Sequence, residues 1–255
     1  MALSALEVIA IVAAGIAAGT INAVVGSGTL ITFPVLLSFG YAPVTANVSS
    51  TLGLAPGSLT GAYGYRRELA GQRNTIARLA CASLAGSLTG AVLLLALPAS
   101  AFKAIVPAFI ALALIMIVSQ PRLSRLLAAR AEDAELDRRT GGPALFLGVF
   151  LTGVYGGYFG AAQGILLIAI LALGLDEPLQ RANAAKNVLA GITNLAAGAV
   201  FAIAAHPEWT AVALLAGGSL LGGVFGSRYG RRLPPAALRA LIVVVGVAAI
   251  VRLVA

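Results

Sequence analysis

Long apolar runs fill this chain, and its polar residues fall mostly in the gaps between them. Ten runs can be marked: 4–25, 29–40, 45–64, 75–97 and 101–120, then 143–160, 163–175, 181–204, 210–227 and 236–254. A helix needs about 20 apolar residues to cross a bilayer core of about 30 Å. The runs at 29–40 and 163–175 fall short of that, and each follows a glycine-containing break, at Gly26 and at Gly160. The pattern predicts an all-α polytopic membrane protein with about 8–10 membrane segments, including two short broken or re-entrant helices.

The runs form two matching sets of five. LPASAFKAIVPAFIALALIMIV, from Leu97, is answered by LPPAALRALIVVVGVAAIVRLV, from Leu233, with Lys103 and Arg239 in the same place. Gly86, Ser87 and Gly90 face Gly218, Ser219 and Gly222, and Ala46-Asn47 faces Ala182-Asn183. The chain divides into a first membrane repeat, 1–120, a linker, 121–142, and a second repeat, 143–255. Internal repeats with short interrupted segments in matching positions are the sequence signature of a secondary transporter, with substrate held between the halves. Purely structural duty for the two short segments is the alternative.

Charge placement adds an orientation. Arg66, Arg67, Arg73 and Arg78 form one basic loop, Arg122, Arg125, Arg130, Arg138 and Arg139 a second, and Arg228, Arg231 and Arg232 a third. Basic loops stay cytoplasmic. The connectors around Pro98–Lys103 and His206–Trp209 are poor in arginine and are expected outside. The basic loop follows the third segment in one half and precedes the last segment in the other, so the repeats are expected to be inverted. Five crossings per half satisfy this, and so do three with the short segments re-entrant. The opening MALSALEVIA lacks a basic n-region and reads as the start of the first spanning helix. The linker stretch SRLLAARAEDAELDRR has helical propensity and mixed charge, as expected of a solvated cytoplasmic helix.

Composition narrows the class. Hydrophobic residues make up 60% and charged residues 10%, against about 25% charged in soluble domains. The net charge of +8 resides in loops, which argues topology and not nucleic-acid binding. A single cysteine, Cys81, excludes an internal disulfide and a cysteine metal cluster. His206 is the only histidine, so no Ser–His pair or His-Glu-x-x-His motif exists, and no enzyme activity, metal or cofactor is expected.

The candidate chemistry is anion binding. There are two lysines, and Lys186 lies inside a spanning run, where a cation is expensive and faces a cavity or partner. None of the nine acidic residues lies in a run's interior, so a bound anion could be its counter-ion. The bland alternative is that Lys186 snorkels or pairs with Asp176 or Glu177. Helices starting near Thr29, Asn47 and Gln163 would aim free N–H groups at a cavity. Asn22, Ser27, Thr29, Asn47, Ser49, Ser50, Thr51, Gln163, Asn183, Asn187 and Asn194 can supply further donors. Each taken alone is as well explained as a cap or packing contact.

The segment AGTINAVVGSGTLITFPVLLSFGYAPVTANVSST and its echo TGVYGGYFGAAQGILLIAILALGLDEPLQRANAAKN resemble the TauE/SafE family of sulfite-exporter-like permeases. Gly19, Gly26 and Gly28, the run to Gly40 and Pro43, the patch Ala46–Ser50, and Asn183, Lys186 and Asn187 ahead of Thr193-Asn194 carry the resemblance. Gly26-Ser27-Gly28-Thr29 departs from the family's Gly-Gly-Gly run. The resemblance implies transport of a sulfur oxyanion or organosulfonate, such as sulfite or sulfoacetate, across a bacterial inner membrane. An anion channel, or a permease for a non-sulfur organic anion, is the alternative. A coupling ion, proton or sodium, and association into a homo-oligomer stay open at this level.

Overall fold

The computed structural model describes residues 3–133, 142–175, 177–230 and 235–254, and every regular element among them is a helix. Arg138, Arg139, Asp176, Arg231, Arg232 and the Leu233-Pro234 pair lie outside the described residues. The first half supplies α1 (Ala5–Val24), α2 (Thr29–Ser38), α3 (Pro43–Gly64), α4 (Arg73–Ala96) and α5 (Ala99–Asp133). The second supplies α6 (Pro143–Tyr158), α7 (Gln163–Gly174), α8 (Leu179–Ala204), α9 (Trp209–Tyr229) and α10 (Pro235–Val254). Among the described residues five helices are long and apolar enough to cross a bilayer: α1, α4, α8, α9 and the Ala99–Arg122 part of α5.

The helix starts have local causes. Ser4 caps α1 through a capping box with Glu7, which satisfies orphan N–H groups at both positions. Pro43 and Pro143 open α3 and α6, where a missing N–H costs nothing. One boundary departs from the sequence pattern. The helix does not stop at the end of the apolar run but continues as α5 through Pro121 to Asp133. The leucines, alanines and arginines that follow are good helix formers, and they carry it into the linker.

The main packing contacts keep their pattern when α1–α5 is exchanged with α6–α10. Helix α1 lies on α9 as α6 lies on α4, and α3 lies on α9 as α8 lies on α4. The short helix α2 rests on α10 as α7 rests on α5, while α3 meets α8 and α5 meets α10. Each half is thus completed by the other. Glycines permit this closeness: a Cβ on Gly222 would stand 2.1 Å from Ile16 O, and one on Gly90 2.1 Å from Val154 O. Without a hydrophobic drive between helices in lipid, such backbone approach supplies the packing energy.

Many large apolar side chains remain on the outside, among them Ile115, Leu147, Leu151, Leu221, Ile203 and Val244. A soluble protein rarely exposes so much contiguous apolar surface, whereas lipid accepts it.

Contacts mark two ends of the bundle. At one end Glu7, Tyr41 and Glu208 lie together: burial raises the Tyr41 phenol above its ordinary value, and Glu208 and then Glu7 add to the rise. The backbone N–H of Glu208 donates to Ser49 Oγ at 2.9 Å. At the other end Arg181 pairs with Glu177 at 2.8 Å and donates to Ala70 O at 2.8 Å.

Candidate functional site: a junction of two interrupted hairpins

Helices α1 and α2 form a hairpin whose turn, Val25 to Gly28, is wholly buried. Helices α6 and α7 form another, turning at Phe159 to Ala162. The two turns meet. The N–H of Gly164 donates to Gly26 O at 3.0 Å, and a Cβ on either glycine would come within 2.4 Å of the other's Cα. Val25 to Gly28 is buried and Gly26 meets Gly164, so both turns lie within the protein. Helix α2 has 10 residues and α7 has 12, rising about 15–18 Å, roughly half a bilayer core. Interrupted backbone in a membrane protein is tolerated where protein buries it. Gly26 and Gly160 adopt φ of +85° and +75°, a region glycine enters at no steric cost.

Lys186 is placed at this junction from α8. It is 0% exposed, and its stem passes Gly164, where an added Cβ would lie 3.0 Å from the lysine Cδ. The ammonium donates to Asn22 O at 3.0 Å and Ala23 O at 3.3 Å, and Asn187 Nδ2 donates to Ala23 O at 3.2 Å. These are last-turn carbonyls of α1, which lack intrahelical partners and carry partial negative charge. The snorkelling alternative therefore fails, and Glu177 is engaged by Arg181. Among the described residues no carboxylate pairs with Lys186, while Asp176 lies outside them. The carbonyls orient the charge without neutralising it, and they use two of its three N–H donors.

The sequence-predicted residues divide into three groups. Asn22 and Asn194 both donate to Ser58 Oγ, at 3.0 and 2.9 Å, joining α1, α3 and α8. Gln163 donates to Thr193 Oγ1 at 3.0 Å, and Ser83 shares a 2.9 Å hydrogen bond with the same hydroxyl. Gln163 owes its place to Gly156, since a Cβ there would overlap the Gln163 amide. The third group surrounds the opposite turn. Asn47 Nδ2 donates to Tyr158 O at 2.9 Å, while Thr51 returns its hydroxyl to Asn47 O at 3.0 Å.

Ser27, Asn47 and Ser50 are 0% exposed, and Ser27 Oγ, Asn47 Oδ1, Ser50 Oγ and Asn183 Oδ1 are buried without a hydrogen-bond partner in the protein. Thr29, at the start of α2 and two residues after Ser27, is buried as well. A buried unsatisfied polar atom costs about 1–3 kcal/mol, so their concentration is informative. Ser49, by contrast, is committed to the loop at Glu208. Asn47 and Asn183 align in sequence yet differ here: only Asn47 has a hydrogen bond, through its Nδ2.

Sequence reasoning named Thr193 only within the family resemblance and missed Ser58 and Ser83, and also Tyr158, whose buried hydroxyl lacks a partner. Ser58 had a signal. It follows Asn47 at the same distance along the chain as Asn194 follows Asn183, and the two equivalents bond to each other where α3 meets α8. Tyr158 belongs to an aromatic cluster on one side of the junction. Phe33 of α2 lies edge-on to Phe159 at 5.2 Å, and Phe102 and Phe109 of α5 pack on Tyr158 at 5.7 and 5.9 Å. These rings seal that side against water. One side of the junction thus carries buried polar atoms without partners, and the other is aromatic.

Comparison with known proteins agrees with this architecture. The family described as "Sulfite exporter TauE/SafE" matches residues 11–253. A "Probable membrane transporter protein" of Haemophilus influenzae is 27% identical over 84% of this chain and 81% of its own length. "Probable membrane transporter protein YfcA" of Escherichia coli K12 is 25% identical over 89% and 82%. "Probable membrane transporter protein ORF9" of Sinorhizobium sp is 28% identical over 93% and 88%. No solved structure matches the chain. The chain belongs to the TauE/SafE family and is a multi-pass membrane transporter.

Proposed function

We propose that this transporter carries a small oxyanion, of the sulfur oxyanion or organosulfonate class, by alternating access between two inverted repeats. One observation carries the reading: where the two turns meet, a fully buried ammonium from α8 faces no carboxylate among the described residues. A buried charge is costly unless compensated, and an anion at the junction compensates it. The N-termini of α2 and α7 start beside the same turns, and half-helix N-termini favour negative charge in transporters. Ser27 and Thr29 supply hydroxyl donors suited to an oxyanion. The sulfur preference rests on the description of the matching family.

Inversion is supported by the exchange-symmetric packing and by the swapped arginine bias of the loops. On that bias the end bearing Ala70 and Arg181 is cytoplasmic, and the end bearing Tyr41 and Glu208 is outside. The two hairpins then enter from opposite sides. Rocking one repeat against the other around their meeting point would expose the junction to each side in turn.

The test is flux of sulfite, with sulfoacetate and a short carboxylate as comparators, into proteoliposomes. Saturable flux is expected, abolished in Lys186→Glu with the protein still inserted. Normal flux in Lys186→Glu would sink the anion site, and non-saturating flux would favour a channel.

A further inference from the structure

The two hairpin turns are built alike, and the likeness points to a second cation. At the end of α1 the N–H groups of Val25 and Gly26 both bond Ile21 O; at the end of α6 those of Phe159 and Gly160 both bond Tyr155 O. The carbonyls that follow in α1 hold a monovalent cation, the Lys186 ammonium, with Asn187 beside it. In α3 the corresponding places belong to Ser50 and Thr51, which follow Asn47 as Lys186 and Asn187 follow Asn183. The tethered cation of one repeat is thus replaced by a short hydroxyl in the other.

That hydroxyl has no partner, although Ser50 is 0% exposed. Asn47 fixes the geometry further. Its Nδ2 donates to Tyr158 O at the end of α6, which brings the amide to that helix end, and its Oδ1 too is buried and unpartnered. An amide oxygen is an acceptor only, so an oxyanion does not satisfy it, whereas a cation does. The C-terminal end of a helix carries partial negative charge, and half-helix C-terminal ends coordinate sodium in other transporters. The oxygens are neutral and no carboxylate, histidine or cysteine cluster stands among the described residues. That set suits a singly charged hard ion better than a divalent or transition metal.

We infer that the C-terminal end of α6, with Asn47 Oδ1 and Ser50 Oγ, is a binding site for an alkali-metal cation, the exchangeable twin of the site that Lys186 fills at the end of α1. The ligands come from α3 and α6, one helix of each repeat, so occupancy ties the repeats together and makes the ion a coupling ion. Its role in coupling rests on the transport reading above. Together with Lys186 the ion offsets the two charges of a dianion such as sulfite.

The test uses the purified full-length protein with no substrate present. Sodium chloride or potassium chloride replaces choline chloride at constant ionic strength, and the melting temperature is followed. A rise on the order of 2–4 °C with an alkali chloride is expected, lost in Ser50→Ala. Ser50→Lys, which installs a tethered ammonium at the twin position, is expected to melt in choline as the wild type does in the alkali salt and to show no further response. No alkali response in the wild type, or a full response retained in either variant, overturns the inference. Because no anion but chloride is present, the outcome is independent of the oxyanion reading, which can fail while this stands.

Discussion

Replacing Gly26 by alanine tests whether the two interrupted hairpins touch. Three costs follow from the structure. Gly26 holds φ at +85°, and a side chain in left-handed backbone costs about 1–2 kcal/mol. The new Cβ would stand 2.4 Å from Gly164 Cα, where contacts under 3.0 Å essentially never occur. Pushing the turns apart costs about 1–3 kcal/mol, as overpacking does elsewhere. The displacement also lengthens the 3.0 Å bond from Gly164 N to Gly26 O, and a buried unpaired N–H costs about 1–3 kcal/mol more. The lower bounds sum to about 3 kcal/mol, or about 6–12 °C at about 2–4 °C per kcal/mol for a chain of this size. Gly40 is the control, since it shares φ of +85° but a Cβ there would meet nothing within 4 Å. Gly40→Ala is expected to lose ~1 kcal/mol, or about 2–4 °C. The assay is thermal unfolding of both variants in the same detergent. Equal losses would refute the contact between the turns.

Other consequences can be checked alongside. Ser58→Ala removes the acceptor shared by Asn22 and Asn194; a loss of about 1–3 kcal/mol is expected, read as a lower melting temperature, and an unchanged one would contradict the shared bond. Gly222→Leu and its equivalent Gly90→Leu push backbones apart at matching interfaces, and both are expected to block folded insertion, scored by monodispersity after extraction. Arg181→Ala breaks a partly exposed i,i+4 ion pair, which is worth about 0.3–0.5 kcal/mol; little change in melting temperature is expected, and a large one would assign weight to the Ala70 anchor.

Much of the fold was legible because the duplication repeats small residues in register. Gly86, Ser87 and Gly90 align with Gly218, Ser219 and Gly222 in sequence, and in the structure they occupy matching contacts, on α6 and α1 respectively. The sequence could not show that these contacts run between repeats, because periodicity marks a face without naming its partner. The short runs announced the hairpins; that their turns meet depends on Gly26 and Gly164, far apart in the chain. At the site, Lys186 stood out through the cost of burying a cation. Its actual partners were invisible, because backbone carbonyls at a helix end leave no residue signature. Ser58 was missed for a related reason: a lone serine in an apolar helix reads as packing until its equivalent, Asn194, is found bonded to it. The extension of α5 beyond Pro121 was obscured by the fall in hydropathy, which marks where lipid ends and not where a helix ends.

The most direct measurement is thermal stabilisation of the purified protein by a panel of sulfite, sulfate, thiosulfate, sulfoacetate, taurine and short carboxylates. A ligand that binds only the folded state raises the melting temperature with occupancy. A selective rise with a sulfur oxyanion or sulfonate is expected, and it should vanish in Lys186→Gln, which keeps an amide donor near the α1 carbonyls but removes the charge. A rise of the same size in Lys186→Gln, or none with any anion in the wild type, would contradict an anion site at the junction.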